Sequence, residues 1–541
     1  MNFAFSKYKT LLYATVLSLL TTPAYPSVGD LKSTDVSPWV LQIGYFSQLD
    51  NALAFRESLS AAGVEAQVVA LGEPGLQYYQ VISGRAEAPD ELEVLNTAIE
   101  TQTGERGFAV RSPFQSSTAE PVFDEPRSLY LMAQAAPPVG TEGAAPMRVS
   151  GYDPGLNRTP QEEIDSMPGF TVGGMPIIPT LGLSLGYDDN ITRASRDEIE
   201  SWFYMISPAI RVELPSDRSV LSLIAAADIV RYEDSPVDDR DTWYLRGDWT
   251  YDISQRQNLG LFAEYREGAD RRGEGRRQGD AGLVPIDPDE WERFGFGGTW
   301  DYGAVGARGR LTIDAGAWDL EYTNNREGLT PDDPGTTALD RDWWYAGGTF
   351  FWRVAPKTSL LADYRYTDMN YKTAVDSDSE IHTWALGVTW EASARTTGRI
   401  QYGNQKRKFA DPTKEDYSGP AWMANVTWRP RTYSLFTLQG TRSTQEPNGN
   451  GDYVLRQDIT LSWLHDWNDR FGTHVDVGYG EDDYRPNGRT DDLFYWGVGG
   501  RYAFNQHFRF GASLNGYDRD SADPEFDYKR MVFLLTLEAS F

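Results

Sequence analysis

Cysteine is absent from this 541-residue sequence, and so is any run of 18 apolar residues. The first absence excludes disulfides, thiol catalysis and zinc–cysteine sites, and it fits a protein exported through an oxidising compartment. The second excludes a membrane-spanning helix. Net positive charge is also missing, since the formal net charge is −29. Nucleic acid is therefore not an expected partner.

Signs of catalysis are scarce as well. There are four histidines, and His382, His465, His474 and His507 lack the spacing of metal ligands. Neither a G-x-S-x-G motif nor a P-loop occurs. Acid-rich stretches such as 376–380 and 518–525 lack the glycine and the spacing of a calcium loop. We expect no enzyme activity, no metal site and no cofactor.

Aromatic residues, by contrast, are abundant and unevenly placed. They make up 13% of the chain, with 17 Trp and 30 Tyr, and sixteen of the Trp follow Phe170. This distribution is typical of strands that carry aromatic girdles at two membrane interfaces.

The last strand alternates in polarity. Met531, Phe533, Leu535, Leu537, Ala539 and Phe541 share one parity; Arg530, Thr536, Glu538 and Ser540 share the other, with Val532 and Leu534 as exceptions. Alternation of this kind predicts a strand with one apolar face. An aromatic carboxy-terminus after many similar segments resembles the end of bacterial outer-membrane barrels. The resemblance implies that Phe541 is part of an assembly signal and that the barrel-assembly machinery is a partner.

Residues 176–541 predict an all-β transmembrane barrel of eighteen antiparallel strands. Short turns such as 215–217 and 355–356 alternate with longer polar loops such as 268–290 and 324–340. This alternation predicts an even strand count with both termini on the periplasmic side. The predicted strands are 178–190, 201–214, 218–231, 241–253, 257–267, 290–301, 308–323, 341–354, 357–371, 379–391, 396–408, 417–429, 432–443, 453–466, 470–482, 491–504, 507–517 and 527–541.

Charged residues of these strands share a parity. A charged Arg or Lys on the lipid face costs ~2–4 kcal/mol at the bilayer midplane, so the charged parity is predicted to face a wide, water-filled lumen. There these side chains either contact a passing polymer or pair across strands and only stiffen the wall. The candidate lumen residues are Arg211, Asp228, Arg246, Asp248, Glu264, Arg266, Arg310, Asp363, Arg365, Arg399, Asp476 and Arg509, and the same parity includes Glu213, Asp314, Asp458, Arg530 and Glu538.

The amino terminus predicts an export signal over residues 1–24. Lys7 and Lys9 form a basic start, 11–20 is a short apolar segment, and Thr22-Pro23-Ala24 supplies the small residues of a cleavage site. We therefore expect a location in the outer membrane of a Gram-negative bacterium, with lipopolysaccharide as a neighbour and the following domain in the periplasm.

Residues 38–112 predict a small α+β domain. The order is strand 39–46, helix 50–62, strands 64–71 and 78–83, helix 89–103 and strand 107–111, which is the split ferredoxin-like plan. Leu41-Gln42-Ile43-Gly44-Tyr45-Phe46-Ser47, followed by Ala52, Leu59 and Gly63, resembles the sporulation-related repeat (SPOR) domain. That resemblance implies binding of peptidoglycan glycan strands through Gln42, Tyr45, Phe46, Ser47 and Gln80, although Gln80 stands where the family carries Arg. The alternative is a structural or partner-docking module.

Residues 113–175 are rich in Pro and Gly, which predicts an extended linker. Within it, 159–167 has the start signals of a short helix that either lies at the barrel mouth or partly plugs it. A tether between the two domains is the preferred interpretation.

The start of the barrel resembles a barrel-porin family found in exopolysaccharide gene clusters. The matching residues are Pro179-Thr180-Leu181-Gly182-Leu183, Tyr187-Asp188-Asp189-Asn190-Ile191 and Ser207-Pro208-Ala209-Ile210. The resemblance implies export of an exopolysaccharide or capsule polymer, supplied by inner-membrane synthesis machinery. The alternatives are an uptake porin for small solutes and a non-conducting barrel for adhesion or envelope tethering.

Overall fold

A computed structural model of the chain describes two regions. The first comprises residues 39–46, 55–56, 59, 64, 66–71, 78–86, 108–111 and 120–122. The second comprises 169–541, with gaps at 173–174, 217, 255, 305–306, 329–334, 394–395, 432, 448–450, 469, 506 and 541. The predicted export signal, the helix at 89–103, the helix at 159–167, Ser47 and Phe541 lie outside the described residues.

The first region forms a sheet of five strands in the order β4-β1-β3-β2-β5. Tyr45 lies opposite Gln80 in the antiparallel β1–β3 pair. Phe55, Arg56 and Leu59 are helical. The strands are β1 (Trp39–Phe46), β2 (Gln67–Leu71), β3 (Tyr78–Ala86), β4 (Phe108–Arg111) and β5 (Glu120–Val122).

Two short strands occur where the sequence predicted only linker. One is β5, which pairs with β2, and the other is β6 (Phe170–Val172), which pairs with the first barrel strand. In the described part of the chain, no helix is both long enough and apolar enough to cross a membrane.

The second region is a closed antiparallel barrel of eighteen strands, so the predicted fold and strand count are confirmed. The last strand pairs with the first, which closes the sheet and leaves no open edge within the hydrocarbon layer. The strands are β7 (Met175–Asp188), β8 (Ser201–Pro215), β9 (Ser219–Tyr232), β10 (Arg240–Ser254), β11 (Gln257–Asp270), β12 (Asp289–Tyr302), β13 (Gly309–Tyr322), β14 (Arg341–Ala355), β15 (Thr358–Tyr371), β16 (Ser379–Ser393), β17 (Thr396–Phe409), β18 (Tyr417–Arg431), β19 (Ser434–Gln445), β20 (Tyr453–Asp466), β21 (Phe471–Arg485), β22 (Arg489–Ala503), β23 (Phe508–Ser521) and β24 (Tyr528–Ser540).

Strand parity separates an exposed outer face from a buried inner face. On β24, Met531 and Leu535 are exposed on the outside, whereas Val532 and Leu534 are buried on the inside. These two exceptions to the polar parity pack against Phe203 and neighbouring rings, which explains apolar side chains on the inner face. Exposed outer rings lie toward both ends of the strands, for example Trp202, Trp243, Trp344 and Trp384 at one end and Tyr302, Trp352, Trp428 and Tyr502 at the other.

The motif Tyr187-Asp188-Asp189-Asn190-Ile191 holds the seam between β7 and β24. Asp188 accepts hydrogen bonds from Arg530 Nε at 2.9 Å and Nη2 at 2.6 Å, and both side chains are buried. Asp189 accepts from the Met531 backbone N–H at 2.6 Å, and Asn190 Nδ2 donates to the Lys529 carbonyl at 2.9 Å. The motif therefore joins the first and last strands of the cylinder.

Candidate functional site: the barrel lumen

The candidate lumen residues all have the parity of the inner face. The register places Arg246 beside Glu264, Arg266 beside Arg293, and Arg365 beside Gly347. Arg211 on β8, Asp228 on β9, Asp476 on β21 and Arg509 on β23 have the inward parity of their strands. The same holds for the others, namely Asp248, Arg310, Asp363 and Arg399.

Much of the inner face of the barrel wall is buried. Arg211, Glu264, Asp363 and Arg365 are 4%, 6%, 5% and 3% exposed, respectively. Strand parity predicts the direction of a side chain but not its partners. Inward charges pair with one another, and loops of the long-loop end fold onto the inner face.

One cluster of ion pairs, the Glu264 cluster, links β10, β11 and β12. Glu264 Oε2 accepts from Arg246 Nη1 at 3.0 Å, and Oε1 accepts from Arg293 Nη2 at 2.8 Å. Arg246 also donates to Asp248, at 2.7 Å from Nη2. Each arginine lies 4.8 Å from an aromatic ring, Arg246 over Phe262 and Arg293 over Trp318. Burial strengthens these contacts, because water does not screen them.

A second cluster, the Arg365 cluster, lies on β13 to β17. Arg365 Nη2 contacts Asp314 at 2.6 Å, and its guanidinium lies 4.8 Å from the Tyr345 ring. Arg310 and Arg399 share the Phe351 ring, at 4.4 and 5.8 Å.

Strand β14 carries a ladder of inward rings, each beside an arginine. Arg341 lies 6.0 Å from Trp343, Arg365 lies beside Tyr345, and Arg310 lies beside Phe351. The ladder runs from the first residues of β14 to near its last, and therefore along most of the height of the wall.

Inward glycines make room for these rings. A Cβ at Gly295 would lie 1.9 Å from Trp318 Cε3, and one at Gly316 would lie 2.9 Å from the Tyr345 ring. Both distances are shorter than any real contact, so the large rings lie flat against the neighbouring strand only because glycine stands there.

Loop 271–288 crosses the mouth at the long-loop end from β11 toward β22 and β23. Gln278 Oε1 accepts from Arg489 Nη2 at 2.8 Å and from Arg519 Nη1 at 3.4 Å. The Asp280 backbone N–H donates to Glu525 Oε1 at 3.1 Å. The loop thereby reaches from the end of β11 to the residues at the long-loop end of β22 and β23.

The base of the same loop is held by buried ion pairs. Arg272 contacts Asp238, and Arg277 Nη2 contacts Asp289 at 2.9 Å. The polarity of 268–290 predicted only a long polar loop, and these buried residues were missed. The signal was present in the repeated arginine pairs at 271–272 and 276–277, since solvated loops rarely need so many guanidinium groups.

Glu446, directly after β19, turns inward onto the wall. Glu446 Oε1 lies 2.7 Å from Arg407 Nη2, and Glu446 Oε2 accepts from the Tyr371 hydroxyl. Burial by itself would raise the pKa of Glu446, but the charges of Arg407 and Arg341 outweigh it and hold the pKa below its ordinary value. Glu446 therefore remains ionised and holds the end of β19 against β15 and β17.

The described residues include no group of three or more His, Asp or Glu side chains arranged to hold a metal ion.

A family model described as "Putative beta-barrel porin 2" matches residues 166–541, which is the whole barrel. The chain belongs to this porin family. Porins of this family are outer-membrane barrels, so the outer-membrane location of the barrel follows. No curated protein sequence matches the chain.

Solved structures similar to this porin include several outer-membrane barrels. The siderophore receptor PirA from Acinetobacter baumannii is 7% identical, with 68% of this chain and 80% of that chain covered and a TM-score of 0.39. The outer membrane protein opdK from Pseudomonas aeruginosa is 11% identical, with 68% and 99% covered and a TM-score of 0.39. A bacterial polysaccharide outer membrane secretin is 10% identical, with 67% and 98% covered and a TM-score of 0.30. Similarity at this level carries no information on what this lumen passes.

Proposed function

We propose that this porin exports an exopolysaccharide or capsule polymer across the outer membrane. The observation that carries the proposal is the β14 ladder of Trp343, Tyr345 and Phe351 with its arginines. Aromatic faces pack on sugar rings, and guanidinium groups donate to hydroxyl and carboxylate oxygens. Contacts repeated along the wall favour movement of a chain, because a single tight site would stall it. Synthesis at the inner membrane would supply both the polymer and the driving force.

The direct test is deletion of the gene in the source bacterium. Loss of surface polymer, with uptake of small solutes unchanged, supports export. Normal surface polymer with lost growth on a small solute would instead support an uptake porin. Normal polymer and normal growth, with weakened envelope attachment, would support a tethering barrel.

A selective uptake porin is the second candidate, and the buried lining favours it. Side chains as large as Arg365 and Arg407 are almost wholly covered, and loop 271–288 crosses the mouth. A densely packed wall beneath a loop at the mouth suits small solutes better than a chain.

We infer that residues 38–112 form a ferredoxin-like, SPOR-like periplasmic domain that tethers the barrel to peptidoglycan. The antiparallel order β4-β1-β3-β2 supports the fold, since the split βαβ plan places its two central strands side by side. The pairing of Tyr45 with Gln80 supports a shared binding face. Amidase-treated sacculi should retain the full-length detergent-solubilised protein more than intact sacculi do. Equal recovery on both would contradict glycan recognition.

A further inference from the structure

Two exposed lysines, Lys406 and Lys408, lie on the outer face of β17 at the long-loop end of the barrel. They share the outward parity of Ile400 and Tyr402, whose side chains are 42% and 64% exposed. Neither lysine makes an ion pair with any described residue. This pair, the β17 lysine site, is therefore open to an anion from outside the protein.

The outer rim beside the β17 lysine site is acidic. From β11 to β16, carboxylates above the aromatic girdle stand directly opposite one another in the strand register. These pairs are Glu267 with Glu292, Glu292 with Glu321, Asp319 with Asp342, and Asp368 with Glu380. Like charges in this arrangement repel each other, and they also repel an approaching anion. The row of carboxylates ends at β17, where Lys408 stands opposite Glu380 without an ion pair between them.

Four other cations of the same rim are already neutralised, because each contacts a carboxylate. They are Arg231 with Asp241 at 2.6 Å, Lys372 with Glu321 at 2.6 Å, Arg485 with Asp483 at 2.6 Å, and Lys529 with Asp518 at 3.3 Å. In a chain with a net charge of −29, the β17 lysine site is thus a local positive patch on an acidic rim.

The β17 lysine site lies at the level of lipid headgroups. Trp384 on β16 stands opposite Asn404, and an exposed tryptophan of this kind marks the membrane interface. Lys406 lies two residues beyond Asn404, which is ~7 Å along the strand. The headgroup layer on each side of a bilayer is ~5–7 Å deep. Lys406 therefore lies in this layer, and Lys408 lies just above it.

Below the lysines, the same outer face is apolar. Leu386 stands opposite Tyr402 and is 71% exposed, and Trp384 is also exposed beside them. A ligand that covers both parts of this face has an anionic headgroup above acyl chains. A soluble anion would occupy only the upper part.

The spacing of the two ammonium groups suits a phosphate. Alternate residues of a strand are ~7 Å apart, so two flexible lysine side chains can donate to the oxygens of one phosphate. We propose that the β17 lysine site binds the phosphate of a phosphorylated, acylated saccharolipid of the outer leaflet, which is the chemistry of lipopolysaccharide. This binding is independent of what the lumen passes, because the site lies on the outside of the wall.

Native mass spectrometry of the full-length protein in detergent measures this binding. The probe is lipid A with two phosphates, and its dephosphorylated form is the comparison. EDTA is present throughout, because divalent ions would otherwise bridge the phosphates to carboxylates of the rim. We expect tighter binding of the phosphorylated form. The double variant Lys406→Gln with Lys408→Gln should weaken it at least about tenfold, since each lysine near an anionic lipid surface contributes about fivefold.

The matched control is Lys529→Gln on the same rim, because Asp518 already neutralises that lysine. It should leave the affinity for lipid A nearly unchanged. The shift in gel migration on boiling checks the folding of both variant proteins. Equal binding of the dephosphorylated lipid, or equal weakening in the two variant proteins, would overturn the site. Displacement of lipid A by an equal concentration of glucosamine 1-phosphate would show that the acyl chains contribute nothing, and would overturn the assignment to a lipid.

Discussion

At the scale of single residues, Glu264 holds two arginines of neighbouring strands at once. Its carboxylate lies between Arg246 and Arg293, at 3.0 and 2.8 Å; Glu264 and Arg293 are buried or nearly so, and Arg246 is partly buried. Removing one partner from a buried pair leaves uncompensated charge, which costs far more than the pair itself contributes. The cluster therefore has a structural role whatever passes beside it.

Glu264→Ala should lower the unfolding free energy of the barrel by ~3–5 kcal/mol, because Arg293 loses its carboxylate and two cations then face each other. Urea unfolding in detergent micelles measures this. The control is Asp466→Ala, which breaks the exposed pair with Arg501 and should cost ~0–1 kcal/mol. Equal losses would contradict a special role for the cluster.

A substitution at Gly295 tests whether glycine is needed for Trp318 to pack flat against the wall. In Gly295→Ala the new Cβ would meet Trp318, so the ring must leave the wall at a cost of ~1–3 kcal/mol. Tryptophan fluorescence and the unfolding midpoint report the change. Gly511→Ala is the control, since its Cβ would lie 3.7 Å from Thr536, an ordinary contact. An unchanged midpoint in Gly295→Ala would show that Trp318 moves without cost.

Alternation in the sequence was sufficient to place Arg246 and Glu264 on the inner face. It was not sufficient to pair them or to reveal Arg293. An inward side chain has possible partners on both neighbouring strands and along its own strand. Which partner it contacts depends on the strand register and on small residues between them, such as Gly295. Neither the register nor the residues of the neighbouring strands can be read from the alternation within one strand.

At the scale of elements, the seam is the junction that completes the cylinder. Asp188→Asn removes the charge that faces Arg530 and should lower the unfolding free energy by roughly 3 kcal/mol, since both side chains are buried. The midpoint of urea unfolding and the folded fraction on unboiled gels measure it. Asp518→Asn is the control on β23 and β24, because its pair with Lys529 is exposed. A similar effect of both would contradict the seam interpretation.

The contact between Glu446 and Arg407 should weaken in acid. The pKa of Glu446 is lowered in the folded chain, so its stabilisation is complete above the unfolded value of ~4.3 and is lost as the pH falls through the folded value. The wild type should therefore have a higher melting temperature than Glu446→Gln at pH 7, and this difference in melting temperature should vanish in acid. Thermal midpoints across pH check this. A difference that is constant with pH, or that grows in acid, would contradict the ion pair with Arg407.

The loops were the least predictable elements. Their polarity and length predicted the correct end of the barrel, because Gly, Asp and Pro mark turns. Their inward fold depends on distant partners, such as Gln278 with Arg489 and Glu446 with Arg407, that no local pattern contains. The alternation of residues therefore could not predict these contacts.

At the scale of the whole molecule, the sequence was sufficient for the barrel and its eighteen strands. Each strand is indicated by two independent signals, the alternation of its residues and the turn that follows it. Small errors at strand boundaries therefore do not change the strand count. The strand count does not determine what passes through the lumen, because passage also depends on how far loop 271–288 opens.

Release of oligosaccharides from liposomes that contain the purified protein tests the central claim, an export path for a sugar chain. Vesicles would hold labelled oligogalacturonate longer than the barrel is tall, together with a labelled monosaccharide. We expect release of the long chain, and faster release in Gln278→Ala, because that change frees the loop from Arg489 and Arg519. Release of the monosaccharide alone, in both proteins, would contradict export and support an uptake porin.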